Sequence, residues 1–595
     1  MTSLSAFGCH PPGMILQWQL NSILLLLSNV PNGTEMTWRS SDCPDCALKS
    51  LCRLHHSSGQ MILHSDWANE LYFNYPNGSL LCEKEITAFN HATLKLDLAN
   101  CSETVLTEGE NPIYAWIITC VGLVFLLIPH DVYLNTKWGW DGLQHDRDHY
   151  HTGNIGDDGR YKMLSISVFR GIIICLMAFV NSGGGGLFLF QHTAWDGLTI
   201  ADIVFPLFMF CSGMSMQISL AVSGKKFEYF KFFSRVGRFF LLGVFVVNTA
   251  SNWEDVRIMG VLQRFSIASF LIYPIMYSTN VDQKELVKYR RQKRFHDHSA
   301  ADSWENLSED DQQRLVEQQY ADAQSVPVEG YSPTFFHHYF GEWMHIFPAF
   351  ATSLALLALG SALRFATFDS TGSCPIGYAG PGGLSQNASF YNCSGGYFGQ
   401  MDRAILAPNH IYHDAPCKTL YDCVDIDPEG LLSTLPSMIN FAAGVHASQV
   451  LRFYGSRRDQ YTRFITYGIF YMVAGLSLHQ VIPINKQLWS PSFAFVTIGI
   501  GYLFYCLVRA AVDRTNSNVK LRIYAYAGDF PLMLYIGQEI FANKVPYGFY
   551  VEGWRWAHAL QSLWTVDLTL IFGAILNYNK TLRAEERRLS RKREK

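Results

Sequence analysis

Residues 181–202 hold the densest cluster of groups in this chain that could do chemistry. Asn181 ends one apolar run, and Gly183, Gly184, Gly185 and Gly186 follow it. His192, Asp196 and Asp202 then stand at the entrance to the next run, within "LFLFQHTAWDGLTIADIVFPLFMF" (187–210). Ionisable groups beside hydrocarbon are costly and are functional candidates by default. An imidazole titrates near neutrality and serves as general base or nucleophile, which makes His192 the candidate catalytic group. An asparagine amide donates to a developing oxyanion, the role expected of Asn181. Asp202, one turn into the following helix, is expected to hold the imidazole tautomer. Glycine allows backbone conformations closed to other residues and close approach of a ligand, so Gly183 and Gly184 are expected to border a bound cofactor. Pro206 loosens the helix further, and irregular backbone at membrane depth needs a protein-covered or wet surround. The segment therefore reads as the wall of a polar cavity. The competing reading of His192, an interfacial histidine bonded to nearby backbone, is weakened by the clustering around it.

Two further polar groups fall inside apolar runs. Arg170 and Arg264 each need a carboxylate or an anionic ligand. Arg235 and Arg238 lie near the same expected cytosolic surface as Arg170, and these arginines are the candidates for holding an anionic cofactor. "HDRDHYH" (145–151) looks like a metal-binding tract but reads better as a solvated juxtamembrane loop, and no metal site is assigned. "CPDC" (43–46) has redox spacing, yet with its neighbouring cysteines it reads as part of a disulfide framework.

The elements that must position these residues follow from the distribution of charge. Charged residues make up 16% of the 595, below the roughly 25% of soluble domains, and they are segregated from long apolar runs. The expectation is an all-α polytopic membrane protein with about eleven transmembrane helices and a small, β-rich, disulfide-bonded lumenal N-terminal domain. Runs of spanning length occur near 113–129, 163–181, 198–221, 236–250, 258–279, 343–366, 430–451, 463–481, 491–511, 522–541 and 556–577. Basic clusters follow the third, fifth and seventh runs, and the tail is basic as well, which places these loops in the cytosol by the positive-inside rule. The sequons at Asn32, Asn77, Asn100, Asn387 and Asn392 all fall on the other side. Nine of the fourteen cysteines fall there too, an odd number that predicts one free or intermolecular thiol.

The domains expected are a signal-like segment (1–30), a glycosylated cysteine-containing segment (31–112), an eleven-span unit (113–577) and a basic cytosolic tail (578–595). The unit carries a charged cytosolic insert (280–340) and a lumenal loop (367–429). The apolar stretch "SILLLLSNV" (22–30) is read as an atypical signal peptide, with a signal anchor as the alternative. The basic stretches are short and juxtamembrane, so nucleic-acid binding is excluded.

The motif "FRGIIICLMAFVNSGGG…HTAWDGLTIADIVFPLFMFCSG" (169–213) resembles the signature of the heparan-alpha-glucosaminide N-acetyltransferase family. The likeness continues through "VRIMGVLQR" (256–264), "CPIGYAGPGGL" (374–384), "YNCSGG" (391–396), "DPEGLLST" (427–434), "INKQLWS" (484–490) and "YIGQEIF" (535–541). It implies a lysosomal membrane enzyme, N-terminus lumenal and C-terminus cytosolic, that uses cytosolic acetyl-CoA to acetylate the terminal glucosamine of heparan sulfate. The family's active histidine falls on His192, its asparagine on Asn181 and its aspartate on Asp202. Three positions depart from the family pattern: Ser167 stands where an acid is frequent, Asp196 where Asn is expected, and Gln538 where His is common. A heparan sulfate oligosaccharide, acetyl-CoA and the lipid bilayer are the implied partners, and a homodimer is the assembly considered.

Two routes stay open for such chemistry. His192 attacks the thioester and carries the acetyl group, or both substrates bind together and His192 takes a proton from the attacking amine. A secondary transporter of an anionic or sugar substrate is the rival reading, since broken helices and midplane polar groups also suit transport. The absence of a clear repeat between the halves speaks against it.

Overall fold

The computed structural model describes residues 9–10, 20–122, 163–223, 229–248, 252–279, 343, 346–365, 374–453, 457–514, 519–542, 544–551 and 553–593. The tract 145–151, the insert 280–340 and the expected signal segment up to residue 8 lie outside them, as do residues 11–19.

The N-terminal part is a β-sandwich. Strands β1 (Cys9–His10), β2 (Ser22–Ser28), β5 (Ser58–His64), β8 (Thr93–Asp97) and β9 (Ser102–Thr107) form one sheet in the order β1-β5-β2-β8-β9. Strands β3 (Thr34–Ser40), β4 (Lys49–Leu54), β6 (Asn69–Asn74) and β7 (Leu80–Ile86) form the other, in the order β4-β3-β6-β7. Only the β2–β8 pair is parallel among the pairings described. Strict alternation sets the inner faces: Met36 and Trp38 of β3 and Leu71 and Phe73 of β6 pack against Ile23, Leu25 and Leu27 of β2. The stretch "SILLLLSNV", read in the sequence as signal-like, is ordered with this domain. In the folded chain it supplies β2, a central strand, with Ile23 and Leu25 fully buried. A short apolar run suits a buried strand as well as a signal core.

Disulfides join Cys43 to Cys46, Cys82 to Cys101, Cys374 to Cys393 and Cys417 to Cys423. Cys52 is also disulfide-bonded. None of the nine cysteines of the two segments is therefore free, and the expected odd thiol is corrected: the ninth finds its partner outside those segments. All five sequon asparagines on these segments are exposed or half-buried.

The remainder is helical. After α1 (Pro112–Gly122) come α2 (Leu164–Asn181), α3 (Ile200–Ser223), α4 (Tyr229–Val247), α5 (Val261–Thr279) and α6 (Phe347–Leu363). Two short helices in the 374–429 loop, α7 (Gly396–Leu406) and α8 (Cys417–Tyr421), lead to α9 (Leu431–Phe453), α10 (Arg457–His479) and α11 (Pro491–Arg514). The chain ends with α12 (Val519–Asp529), α13 (Pro531–Phe541) and α14 (Arg555–Arg593). Among the described residues four helical stretches, Leu164–Asn181, Ile200–Leu220, Pro491–Asp513 and Arg555–Lys580, are long and apolar enough to cross a membrane. The protein is thus a multi-pass membrane protein. Each of the eleven expected runs overlaps helix, but the run 522–541 breaks into α12 and α13. Phe530 leaves helical geometry there, and Pro531 opens the next helix at the position where its missing N–H costs nothing.

The bundle closes at glycines. A Cβ on Gly213 of α3 would strike the Phe441 carbonyl of α9, and one on Gly444 would strike the Phe210 carbonyl of α3. Small residues at such crossings let two backbones touch, as membrane helix packing favours. The core around this crossing includes Phe169, Phe210, Trp489, Phe493, Tyr502 and Tyr505. The sandwich is bolted to one end of the bundle: Arg555 at the start of α14 donates to Asn21 Oδ1 at 2.8 Å and pairs with Asp66 at 3.3 Å. Glu110 accepts from the Arg555 and Trp556 backbone at 2.6 and 2.9 Å.

Candidate active site

The loop 182–199 turns the chain from the end of α2 into the start of α3. Gly183, Gly184, Gly185 and Gly186 all have positive φ, from 56° to 95°, a run that only glycine tolerates cheaply. The reason is packing. A Cβ on Gly184 would meet Phe190, one on Gly185 would meet Ala559 of α14, and one on Gly186 would meet Leu20 and Asn21. Gly183 and Gly184 do not border the cavity described below. What the run does in the described structure is seat the loop against α14 and the sandwich.

Beyond the turn, Asp202, the third residue of α3, reaches back to Thr199, which precedes the helix. The Asp202 carboxylate accepts from the Thr199 amide at 3.3 Å and hydroxyl at 3.0 Å. It also accepts from the Thr193 amide at 3.3 Å and hydroxyl at 3.1 Å. A helix N-terminus favours this negative charge. Asp202 is fully buried, and its other oxygen lies 2.8 Å from His192 Nδ1. His192 is more exposed, with its side chain 39% accessible. The pairing brings the two residues together as expected, and it leaves Nε2 as the ring nitrogen for a substrate.

A third group completes the cluster. Lys486 Nζ lies 3.0 Å from His192 Nδ1 and 3.3 Å from Asp202 Oδ1. It reaches them because the loop 482–490 is tied to the loop 182–199. Gly197 donates to the Ile484 carbonyl at 2.8 Å, and Asn485 Nδ2 donates to Asp196 Oδ1 at 3.1 Å. Asp196 thus has a structural role, and burial raises its carboxyl above the usual range, with the Asn485 bond opposing. Lys486 lies in the motif "INKQLWS", but a sequence separation of 294 residues from His192 hid the contact.

A cavity of about 700 Å³ runs through the bundle from this cluster. Asn181, His192, Lys486, Glu429 and Glu539 line one part of it; Ser215, Ser219, Lys231, Arg235 and Tyr273 line another; and Arg170 borders it between α2 and α3. Asn181 Nδ2 donates to Glu539 Oε1 at 3.2 Å. Glu429 accepts from Arg257 Nη2 at 2.7 Å, and Arg257 holds Asp427 through two bonds of 2.9 and 2.6 Å. Burial opposes the Glu429 charge, and Arg257 outweighs it, holding the carboxyl below the usual range.

The expected arginines separate. Arg170 and Arg235 line the cavity, and Arg170 Nε is buried with no hydrogen-bond partner among the described residues. Ser167, where an acid was anticipated beside Arg170, instead donates to Asp529 Oδ1 at 3.0 Å. Arg238 does not border the cavity; its Nε donates to the Ser234 carbonyl at 3.2 Å. Arg264, fully buried, donates to Ser433 Oγ at 2.6 Å, the Pro428 carbonyl at 2.9 Å and Thr434 Oγ1 at 3.2 Å. Its guanidinium stacks near Trp489 and Phe205. Arg264 is a brace at the start of α9 and does not reach the cavity. Gln538 likewise points away and donates to Thr569 Oγ1 at 3.0 Å. Lys231 at the basic part of the cavity carried no mark in the sequence beyond its place in a basic loop.

Fold and site together define a multi-pass membrane protein with a polar internal cavity and an aspartate-held histidine on its wall. Over 632 residues the chain is 26% identical to the protein named heparan-alpha-glucosaminide N-acetyltransferase from Mus musculus, covering 95% of this chain and 89% of that protein. It is 28% identical to the Homo sapiens protein of the same name over 406 residues, 65% of this chain and 54% of that protein. The resemblance carried by the motifs thus extends over most of the chain. No family model matches it.

Proposed function

We propose that this protein is a transmembrane N-acetyltransferase, which takes the acetyl group of acetyl-CoA on the cytosolic side. It transfers the group to the terminal non-reducing glucosamine of heparan sulfate in the lysosomal lumen. One observation carries the reading: a single cavity joins Lys231, Arg235 and the buried Nε of Arg170 to the His192–Asp202–Lys486 cluster. Acetyl-CoA has an anionic nucleotide end and a small neutral thioester. The cavity has basic groups for the first and, among hydroxyl and apolar side chains, room for the arm that carries the second. The names of the relatives supply the acceptor.

The chain's own residues then divide the work. Asp202 accepts the Nδ1 proton of His192 and fixes the tautomer in which Nε2 is basic. Lys486 compensates the buried carboxylate and supplies positive potential where the thioester oxygen gains charge. Nε2 of His192 takes a proton from the amine as it attacks and returns it to the departing sulfur. The alternative, attack of Nε2 itself on the thioester, uses the same tautomer. The sequons and oxidised cysteines are those of a glycoprotein whose sandwich and 374–429 loop face an oxidising lumen.

The test is transfer of labelled acetyl from acetyl-CoA to glucosamine by purified protein, beside His192→Ala. Transfer by the wild type that the substitution abolishes, with acetyl-CoA binding retained, is the expected result. Full activity in His192→Ala would move the chemistry elsewhere. Movement of intact substrate across sealed vesicles without acetylation would favour a transporter.

A further inference from the structure

The acetyltransferase reading, on which this inference rests, leaves a proton unassigned. An amino sugar in an acidic compartment arrives as an ammonium ion, R–NH₃⁺, which has no lone pair to attack with. Acetylation forms a C–N bond, breaks the C–S bond and converts the ammonium into a neutral amide, so two protons leave nitrogen. One ends on the thiolate sulfur; the other must go to a base and then to solvent. A neutral imidazole has room for one proton. His192, whose Nδ1–H donates to Asp202, is occupied with the proton that travels to sulfur.

Two carboxylates, Glu429 and Glu539, line the same cavity as His192. Glu429 is committed to Arg257 at 2.7 Å, a partner that holds it ionised but already satisfied. Glu539 makes no ion pair among the described residues; its bond is to the neutral amide of Asn181 at 3.2 Å. It projects from α13, the half-helix made by the break at Phe530, and Tyr535 one turn earlier borders the same space. A carboxylate on the cavity wall, with Arg257 near it but no ion pair of its own among the described residues, and beside an amide that orients it, is a receptor for an ammonium ion.

We propose that Glu539 binds the acceptor's ammonium group and accepts its first proton, with Asn181 orienting the carboxylate, so that His192 meets a neutral amine. The overall step is R–NH₃⁺ plus thioester giving R–NH–acetyl, thiol and a proton. The proton on Glu539 passes to solvent through the cavity mouth. The assignment holds for either route of acetyl transfer, since an acetylated His192 also requires a neutral amine.

Glu539→Gln tests it with two acceptors: glucosamine, and O-methylhydroxylamine, a far weaker base that stays largely neutral at mildly acidic pH. With glucosamine at acidic pH, kcat/KM is expected to fall about 100-fold or more, the scale of a general base. The deficit should shrink as pH rises and the amine loses its proton unaided. With O-methylhydroxylamine the variant should stay within about threefold of wild type, which also shows that it is folded and binds acetyl-CoA. Equal losses with both acceptors at every pH, or no loss with glucosamine, overturn the proposal. Should Glu539→Gln fail to fold, Glu539→Asp is read by the same comparison. Wild-type protein that acetylates neither amine would sink the acetyltransferase reading itself.

Discussion

Asp202 governs which nitrogen of His192 faces a substrate, because its carboxylate can only accept from Nδ1–H. In Asp202→Asn the amide can turn its NH₂ toward Nδ1, which reverses the tautomer and directs the ring's hydrogen at the cavity. Acetyl transfer is expected to fall at least about 100-fold while acetyl-CoA affinity, measured by titration, changes little; a parallel loss of both would mean that Asp202 only supports the fold. Arg264 makes the opposite case. It donates to the Pro428 carbonyl, Ser433 and Thr434, so Arg264→Met removes three buried hydrogen bonds, at about 1 kcal/mol each. A lower unfolding temperature with unchanged acetyl-CoA affinity is expected, and lost affinity at full stability would return Arg264 to the ligand. His192, Asn181 and Asp202 were legible because polar groups beside apolar runs stand out within one stretch of sequence. Lys486 and Glu539 were not, since a lysine in a loop and a glutamate near a helix end carry no local mark. Only the tie between the loops and the break at Phe530 bring them to the cavity.

At the scale of elements, the α3–α9 crossing depends on two glycines that no periodicity singles out. Gly444→Ala drives a methyl into the Phe210 carbonyl. Overpacking of this kind costs about 1–3 kcal/mol, and a fall in thermal midpoint with loss of transfer is expected; an unchanged midpoint would mean that the helices separate without cost. The β5–β6 turn makes a prediction about pH. Burial pushes Asp66 up to about 6, with Arg555 and Asn21 opposing, and burial pushes His64 down to about 4. Between about pH 6 and the ordinary carboxylate range the folded Asp66 binds more protons than the unfolded chain, so its contribution rises as pH falls. His64 runs the other way: from about 6.5 down to about 4 the unfolded chain binds the extra proton, and stability falls with pH. The two slopes nearly cancel in the wild type. Asp66→Asn should therefore expose the loss, with the sandwich less stable at pH 5 than at pH 7 by denaturant titration, and His64→Gln should expose the gain. Parallel pH profiles for all three proteins would show that neither group titrates in this window.

The whole molecule separates two chemistries by the length of a helix. α3 begins beside His192 and ends near the Lys231 and Arg235 end of the cavity; its 24 residues cover about 36 Å, comparable with the roughly 30 Å hydrocarbon core. The expected apolar runs fall on helix because hydrophobic runs of that length have few other uses. The strand β2 escaped because a six- or seven-residue apolar run does not announce its partner. What the runs could not convey is that one cavity threads between them from a basic end to a histidine end. That arrangement predicts sided chemistry. In sealed vesicles with the basic C-terminal tail outward, acetyl-CoA added outside should acetylate glucosamine trapped inside, while intact acetyl-CoA stays out. Reversing the two substrates should give no product, and Arg235→Glu should weaken the productive arrangement by raising the KM for acetyl-CoA about tenfold or more, with little change in the acceptor's KM. Product formed equally in both arrangements would mean that the cavity is open along its side and that the bilayer is only a scaffold. Acetyl-CoA recovered intact inside the vesicles would instead make the same cavity a path for transport.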